Sequence, residues 1–294
     1  MVWLGVALAF VVSLGWSALA VRVGPRFGFV DAPDDPHLKV HRQKAVPLGG
    51  VGLLLGVTAG WWLAGGLDSR VMAPATALTV LGLVDDRIRL SAWLRLAVQV
   101  VIAIAAIALG AVPFDQWPIA GVAGVVLVVV AVNAVNLFDG LDGLAGSAGL
   151  VASLGVAALA IGRGVEPDLA LLLAAGLGGF LVYNRHPARV FLGDNGAYLL
   201  GFLLAVGIMR VSSSGIGARF GIAALVLGIF FVDLSVTVLR RAVGRQPLFR
   251  GDRSHLYDRL VTRGWSIERV VGVAVMAELG FVAVAMLLDA NLPD

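Results

Sequence analysis

The sequence predicts an all-α fold, a polytopic transmembrane helix bundle of about ten spans with its N- and C-termini outside. Three observations carry this. Across 294 residues, 59% are hydrophobic, only 14% are charged, and the mean hydropathy is +0.94. Soluble domains run nearer ~45–50% apolar and ~25% charged. The apolar residues fall in blocks of roughly 17–22, long enough to span ~30 Å of hydrocarbon at 1.5 Å per residue. Of the 22 Lys and Arg, 18 lie in alternate loops, the asymmetry of the positive-inside rule.

The first span, 2–21, ends in Ala18-Leu19-Ala20, which mimics a signal-peptide cleavage site. No basic residue precedes it, and Arg22 and Arg26 follow it, the reverse of a signal peptide. It reads as a retained helix with an outside N-terminus. Further spans centre on 48–66, 71–85, 94–112, 119–137, 144–162, 169–184, 196–211, 219–239 and 268–288. The third is short and contains Pro74, so a tilted, broken or half-inserted segment is expected there. The spans are rich in Gly and Ala, as suits close helix packing in lipid. No repeat or linker divides the chain, and 1–294 reads as one integral-membrane domain.

The absence of cysteine excludes disulfides, thiolate metal sites and cysteine nucleophiles. A pI near 9.8 and a net charge of +3 fit positive loops on one membrane face, with no nucleic-acid partner.

With the N-terminus outside, the loops near 22–46, 85–95, 136–143, 184–194 and 240–269 all face the cytoplasm, and they hold the polar motifs. Asp85 and Asp86 close the third span, next to Arg87. Acids at a hydrocarbon boundary are costly and mark either a cavity or an interfacial cap. Asn133, Asn136, Asp139 and Asp142 follow a Val-rich run, with Gly140 and Gly143 interleaved. At a spacing of three, Asp139 and Asp142 would share a helix face. Two carboxylates and two amides beside a span have no evident packing use. Asp194 opens the eighth span, as an N-cap or as a Mg²⁺ ligand. Asn184 ends the seventh span and is a further substrate-binding candidate.

The 240–263 loop is strongly basic and includes Arg253 and His255, the latter suited to donate to a phosphate. Lys44 precedes Pro47, Gly49 and Gly50, a cationic loop and Gly-Gly turn that suit a phosphate-bearing ligand. A diphosphate ligand with Mg²⁺ would use all of these on one face, and an apolar groove between spans would take a lipid tail.

These motifs resemble the polyprenyl-phosphate N-acetylhexosamine-1-phosphate transferases, the glycosyltransferase family 4 enzymes that start cell-envelope glycans. The matching pieces occur in family order: Pro47 to Gly50, Asp85-Asp86, the run from Asn133 to Ala145, Phe191 to Asp194, Asp233 with Arg240, and His255. The resemblance implies a UDP-sugar donor, a polyprenyl phosphate acceptor, and UMP release at the cytoplasmic face of the cell membrane. It implies Asp194 as the ligand of Mg²⁺, with Mn²⁺ as the alternative, and Asp85 as the acid that meets the lipid phosphate. Asp86, Asp139 and Asp142 fall in its catalytic region, and His255 matches a residue touching the diphosphate. Lys44, Arg95, Asn133, Asn136, Asn184 and Arg253 are the substrate-binding candidates.

The chain departs from the pattern in places. Arg95 replaces a family Lys, two histidines near His255 are gone, and Ala197 stands for Ser. The segment at 253–260 resembles the O-antigen-initiating branch more than the peptidoglycan branch. That favours a UDP-N-acetylhexosamine, 6-deoxy sugars included, over a muramyl-pentapeptide donor. The family includes dimers, so a homodimer is compatible with the chain.

Two other classes share some of these features. An intramembrane prenyltransferase would show a second Asp-rich motif, and only one such run occurs. A transporter would show an inverted repeat and acids near the midplane, whereas here the acids sit at one face.

Overall fold

The computed structural model describes residues 1–30, 45–112, 119–212, 217–247 and 254–292. Among them lie twelve α-helices, two 3₁₀ turns, one isolated bridge and no sheet. They are α1 (Val2–Val23), α2 (Gly49–Ala64), α3 (Ser69–Ile88), α4 (Ala92–Ala108), α5 (Ile119–Phe138) and α6 (Leu144–Gly162). Then come α7 (Asp168–Asn184), α8 (Gly193–Val211), α9 (Ala218–Ala224), α10 (Gly228–Val243), α11 (Leu256–Thr262) and α12 (Ile267–Ala290).

Every predicted span coincides with a helical segment. Six of these are long and apolar enough to cross a membrane, while α2, α4 and α7 are apolar but only 16–17 residues long. The chain is an all-α, multi-pass membrane protein.

Three details differ from expectation. The third span is neither short nor broken, since α3 runs unbroken for 20 residues through Pro74. Pro74 lies in its second turn, where it removes one i→i−4 bond, to the Arg70 carbonyl, without ending the helix. Asp68 caps that start, accepting from Arg70 N at 3.0 Å. The ninth span, expected as one helix over 219–239, is interrupted by a 3₁₀ turn at Leu225–Leu227 between α9 and α10. The short helix α11 lies inside the basic loop expected over 240–269.

Buried apolar side chains form one cluster, from Ala9 in α1 to Ala285 in α12. At its centre is α8, with nearly every side chain buried. Small residues let the helices touch. A Cβ on Gly60 would lie 2.5 Å from Gly5 O, so α1 and α2 meet backbone to backbone. A Cβ on Gly82 would lie 2.3 Å from Asn195 Cα, which allows the end of α3 to rest on the start of α8.

The antiparallel succession gathers the C-ends of α1, α3, α5 and α7 with the N-ends of α2, α8 and α12 at one end of the bundle. Two loops are laced together there. Val46 N donates to Arg189 O at 3.2 Å, and Phe191 N donates to Val46 O at 3.0 Å. Arg87 donates to Phe27 O and Gly28 O, tying the segment after α1 to the end of α3.

Candidate active site

At this end a cavity of about 420 Å³ opens between the segment after α1 and the ends of α3, α5, α7, α8 and α12. Asp85, Asp86, Asn136, Asp139, Asp142, Asn184 and Asp194 all line it, so seven residues singled out from sequence converge. Their surroundings divide them into two groups.

Most of the acids are committed to protein donors. Asp85 is buried. Its Oδ1 accepts from Leu90 N at 2.8 Å, and its Oδ2 accepts from Arg95 Nη1 at 2.8 Å and Tyr198 Oη at 2.9 Å. Asp86 accepts from Asp194 N at 3.0 Å, and from Asn195 N at 3.3 Å and Asn195 Nδ2 at 2.7 Å. It therefore satisfies the free amides that open α8. Asp194 does not cap its own helix; Asp86 does so from α3. Asp142 Oδ2 accepts from Ala188 N at 3.0 Å and lies 2.7 Å from His186 Nδ1. Asn184 accepts from Gly143 N and donates to Val190 O, fastening the 139–143 loop to the strand-like segment before α8.

Two acids remain open to the cavity. Asp194 accepts from Asn136 Nδ2 at 2.5 Å, and its Oδ2 lies 3.9 Å from Arg95 Nη1, with the side chain 28% exposed. Among the described residues none donates to the Asp139 carboxylate. Asp139 and Asp142 are not on a shared helix face as expected, because 139–143 leaves helical geometry after α5 and Gly143 takes a φ of +77°. The two side chains consequently part, Asp142 into the protein and Asp139 towards the cavity. Burial pushes the Asp139 carboxyl up to about 7, aided by the charges of Asp86 and Asp142.

Two other candidates stand off the cavity wall. Asn133 does not line the cavity. Its Nδ2 donates to Gln99 Oε1 at 2.7 Å and to Val129 O at 2.8 Å, joining α5 to α4. His255 is also off the cavity wall. It is buried, 2.7 Å from Asp233 Oδ2, and stacked on Tyr257, whose hydroxyl donates to Leu137 O. That geometry makes the His255–Tyr257 pair a brace between α10 and the end of α5. Lys44 and Arg253 lie outside the described residues.

Sequence reasoning missed Tyr198 and His186. Tyr198 stands four residues after Asp194, on the same face of α8, and a hydroxyl in an otherwise apolar span was the available signal. His186 follows Asn184 by two, and nothing local pairs it with Asp142.

Among the described residues, no three His, Cys, Asp or Glu side chains form a metal cage. Mg²⁺ bound with phosphates needs only one or two carboxylates, the rest of its octahedron coming from phosphate and water. Asp139 and Asp194, with oxygens left open, fit that donor set.

A second concavity, about 580 Å³ and almost wholly apolar, runs along α5 from Ile119 to Val130 and is closed by Phe220 of α9 and Phe231 of α10. Six residues past Val130 on the same helix, two before its end at Phe138, Asn136 stands on the wall of the polar cavity.

Fold and site together define an integral-membrane protein with a carboxylate-and-amide cavity at one end and a separate apolar groove along α5. The family model for glycosyl transferase family 4 matches residues 70–212. A probable undecaprenyl-phosphate N-acetylglucosaminyl 1-phosphate transferase of Bacillus subtilis is 32% identical, over 94% of this chain and 82% of the relative. A decaprenyl-phosphate N-acetylglucosaminephosphotransferase of Mycobacterium leprae is 30% identical, over 79% of this chain and 70% of the relative. A phospho-N-acetylmuramoyl-pentapeptide-transferase of Moorella thermoacetica is 38% identical, over only 40% of this chain. The chain belongs to glycosyl transferase family 4, among the polyprenyl-phosphate hexosamine-1-phosphate transferases.

Proposed function

We propose that this chain, acting as one unit over 1–294, transfers an N-acetylhexosamine-1-phosphate from a UDP-sugar to polyprenyl phosphate at the cytoplasmic membrane face. An acceptor phosphate oxygen attacks the sugar-bearing phosphorus. The bond from that phosphorus to the bridging oxygen breaks, and UMP leaves with the electron pair. The observation that carries this reading is the pairing, along one helix, of an apolar groove with a polar cavity onto which the Asp139 carboxylate and the partly exposed Asp194 open. A lipid phosphate has one part for each. The full-length similarity to N-acetylglucosaminyl 1-phosphate transferases supports an N-acetylhexosamine donor. The gathering of 18 of 22 cations in the loops on one side supports the cytoplasmic orientation.

Asp194 and Asp139 would hold Mg²⁺, which when bound supplies neutralisation of diphosphate charge. Asn136 orients Asp194 through its amide. Asp86 fixes the start of α8 and so the position of Asp194. Arg95, held on Asp85, presents its cation beside Asp194, where it offsets phosphate charge. Asp85 has both oxygens engaged and acts through Arg95. Asp142 and Asn184 keep the 139–143 loop in place.

The test is UMP release by purified protein given undecaprenyl phosphate, Mg²⁺ and a panel of UDP-sugars, with Asp194→Asn as the blank. Release that requires both lipid and cation is expected. Release from none of the UDP-sugars, or equal release by the variant, would overturn the reading.

A further inference from the structure

Glu278 is fully buried in the apolar helix α12, and the site described above does not use it. An ionisable side chain at such depth is expensive and points to a role. Its Oε2 accepts from Ile229 N at 2.9 Å, and its Oε1 has no partner among the described residues. Ile229 is the second residue of α10, directly after the 3₁₀ turn that interrupts the ninth span. The carboxylate therefore caps an internal helix end inside the bundle, satisfying an amide that has no partner within its own helix.

The same face of α12 builds the rest of the joint. Three residues after Glu278, Phe281 packs on Gly228, where a Cβ would lie 2.1 Å from the ring. Val282 and Val226 both pack over Gly155 of α6. The bend is thus clamped by one polar and two apolar contacts, and its direction sets where α9 and α10 stand. Those two helices contribute Phe220 and Phe231, the wall of the apolar groove that faces α5. One turn further along α10, Asp233 is anchored separately, to His255 and to Leu256 N.

We infer that Glu278 is a positioning residue for the apolar chain of the acceptor: by capping α10 it fixes the bend and hence the groove wall that a long polyprenyl chain would follow. This rests on the groove's assignment under the proposed function. The role is one of chain-length specificity, since a short acceptor would reach the cavity without filling the groove.

The test uses full-length protein in lipid nanodiscs, with farnesyl-length and undecaprenyl-length phosphates as alternative acceptors. Glu278→Ala should raise KM for the long acceptor about 3- to 30-fold, the range set by losing a helix cap, while KM for UDP-sugar and kcat with the short acceptor stay within about twofold. Glu278→Gln keeps an oxygen for Ile229 N–H and should restore the wild-type KM. Equal losses with both acceptors, or an unchanged KM for the long one, would overturn the inference. Should Glu278→Ala fail to fold, Glu278→Asp, shorter by one methylene, is judged by the same criterion. Wild-type turnover on the long acceptor separates the two levels. Its absence sinks the proposed function and this role together, whereas its presence with a length-indifferent variant sinks this role alone.

Discussion

The carboxylate of Asp86, at the end of α3, caps the helix that carries Asp194 at the start of α8. The two acids thus have different work although both line the cavity. Asp86→Ala strips three acceptor contacts from the first turn of α8 and should cost about 1–2 kcal/mol, read as a lower Tm, with reduced turnover as Asp194 drifts. Asp194→Asn leaves that cap intact and should abolish UMP release at a near-normal Tm. A paired thermal-melt and activity measurement decides it. An Asp86→Ala protein of unchanged Tm but no activity would mean that Asp86 meets substrate directly.

Asp85 shares one oxygen between Arg95 and Tyr198. Tyr198→Phe removes one of three donors and leaves the ion pair, so a stability loss of about 0.5–1.5 kcal/mol and a modest fall in kcat are expected. Arg95→Lys retains a point charge for Asp85 but not the planar fork. Turnover should survive with a raised KM for the UDP-sugar. A dead Arg95→Lys enzyme with normal folding would show that guanidinium geometry itself is required.

The helices were legible in the sequence because length and apolarity are local properties, and so were most of the residues that meet at the cavity. What each carboxylate does was not. Asp85 and Asp139 look alike in sequence, and they differ because Leu90, Arg95 and Tyr198 converge on one and none of the described residues donates to the other. The 3₁₀ turn at Leu225–Leu227 was equally hidden. Its residues are apolar and unremarkable for a helix, and the group that holds the bend, Glu278, comes from another span. The missed Asp142–His186 pair has the same origin, since a fold places those two together across 44 residues of chain.

Gly82 is where the site depends on absent volume. A Cβ there would sit 2.3 Å from Asn195 Cα and N, both backbone atoms that cannot rotate away. Gly82→Ala should force α3 and α8 apart, costing about 1–3 kcal/mol as overpacking does, and should separate Asp86 from the α8 amides. The expected result is a lower Tm together with a loss of turnover larger than that of Tyr198→Phe. A Gly82→Ala protein with wild-type melting and kinetics would mean that the α3–α8 contact is looser than described.

Asp139 should reveal itself through pH. Its carboxyl is raised from an ordinary value of 3.8 to about 7 by burial and by neighbouring acids. In this window the folded protein holds a proton that the unfolded chain has released, so stability falls as pH rises from about 4 to about 7, and the full penalty persists above that. Asp139→Asn removes the penalty. Without added divalent cation, the variant should therefore melt a few degrees above wild type at pH 8, on the order of 1–2 kcal/mol once water in the cavity is allowed for. The gap should close as pH is lowered through 7 towards 4. Adding Mg²⁺ at pH 8 should reverse the order, because the wild-type carboxylate then gains a cation while the amide does not. Equal melting of the two proteins at pH 8 in the absence of cation would mean that water reaches Asp139 freely, and an unchanged order after Mg²⁺ would remove it from the cation site.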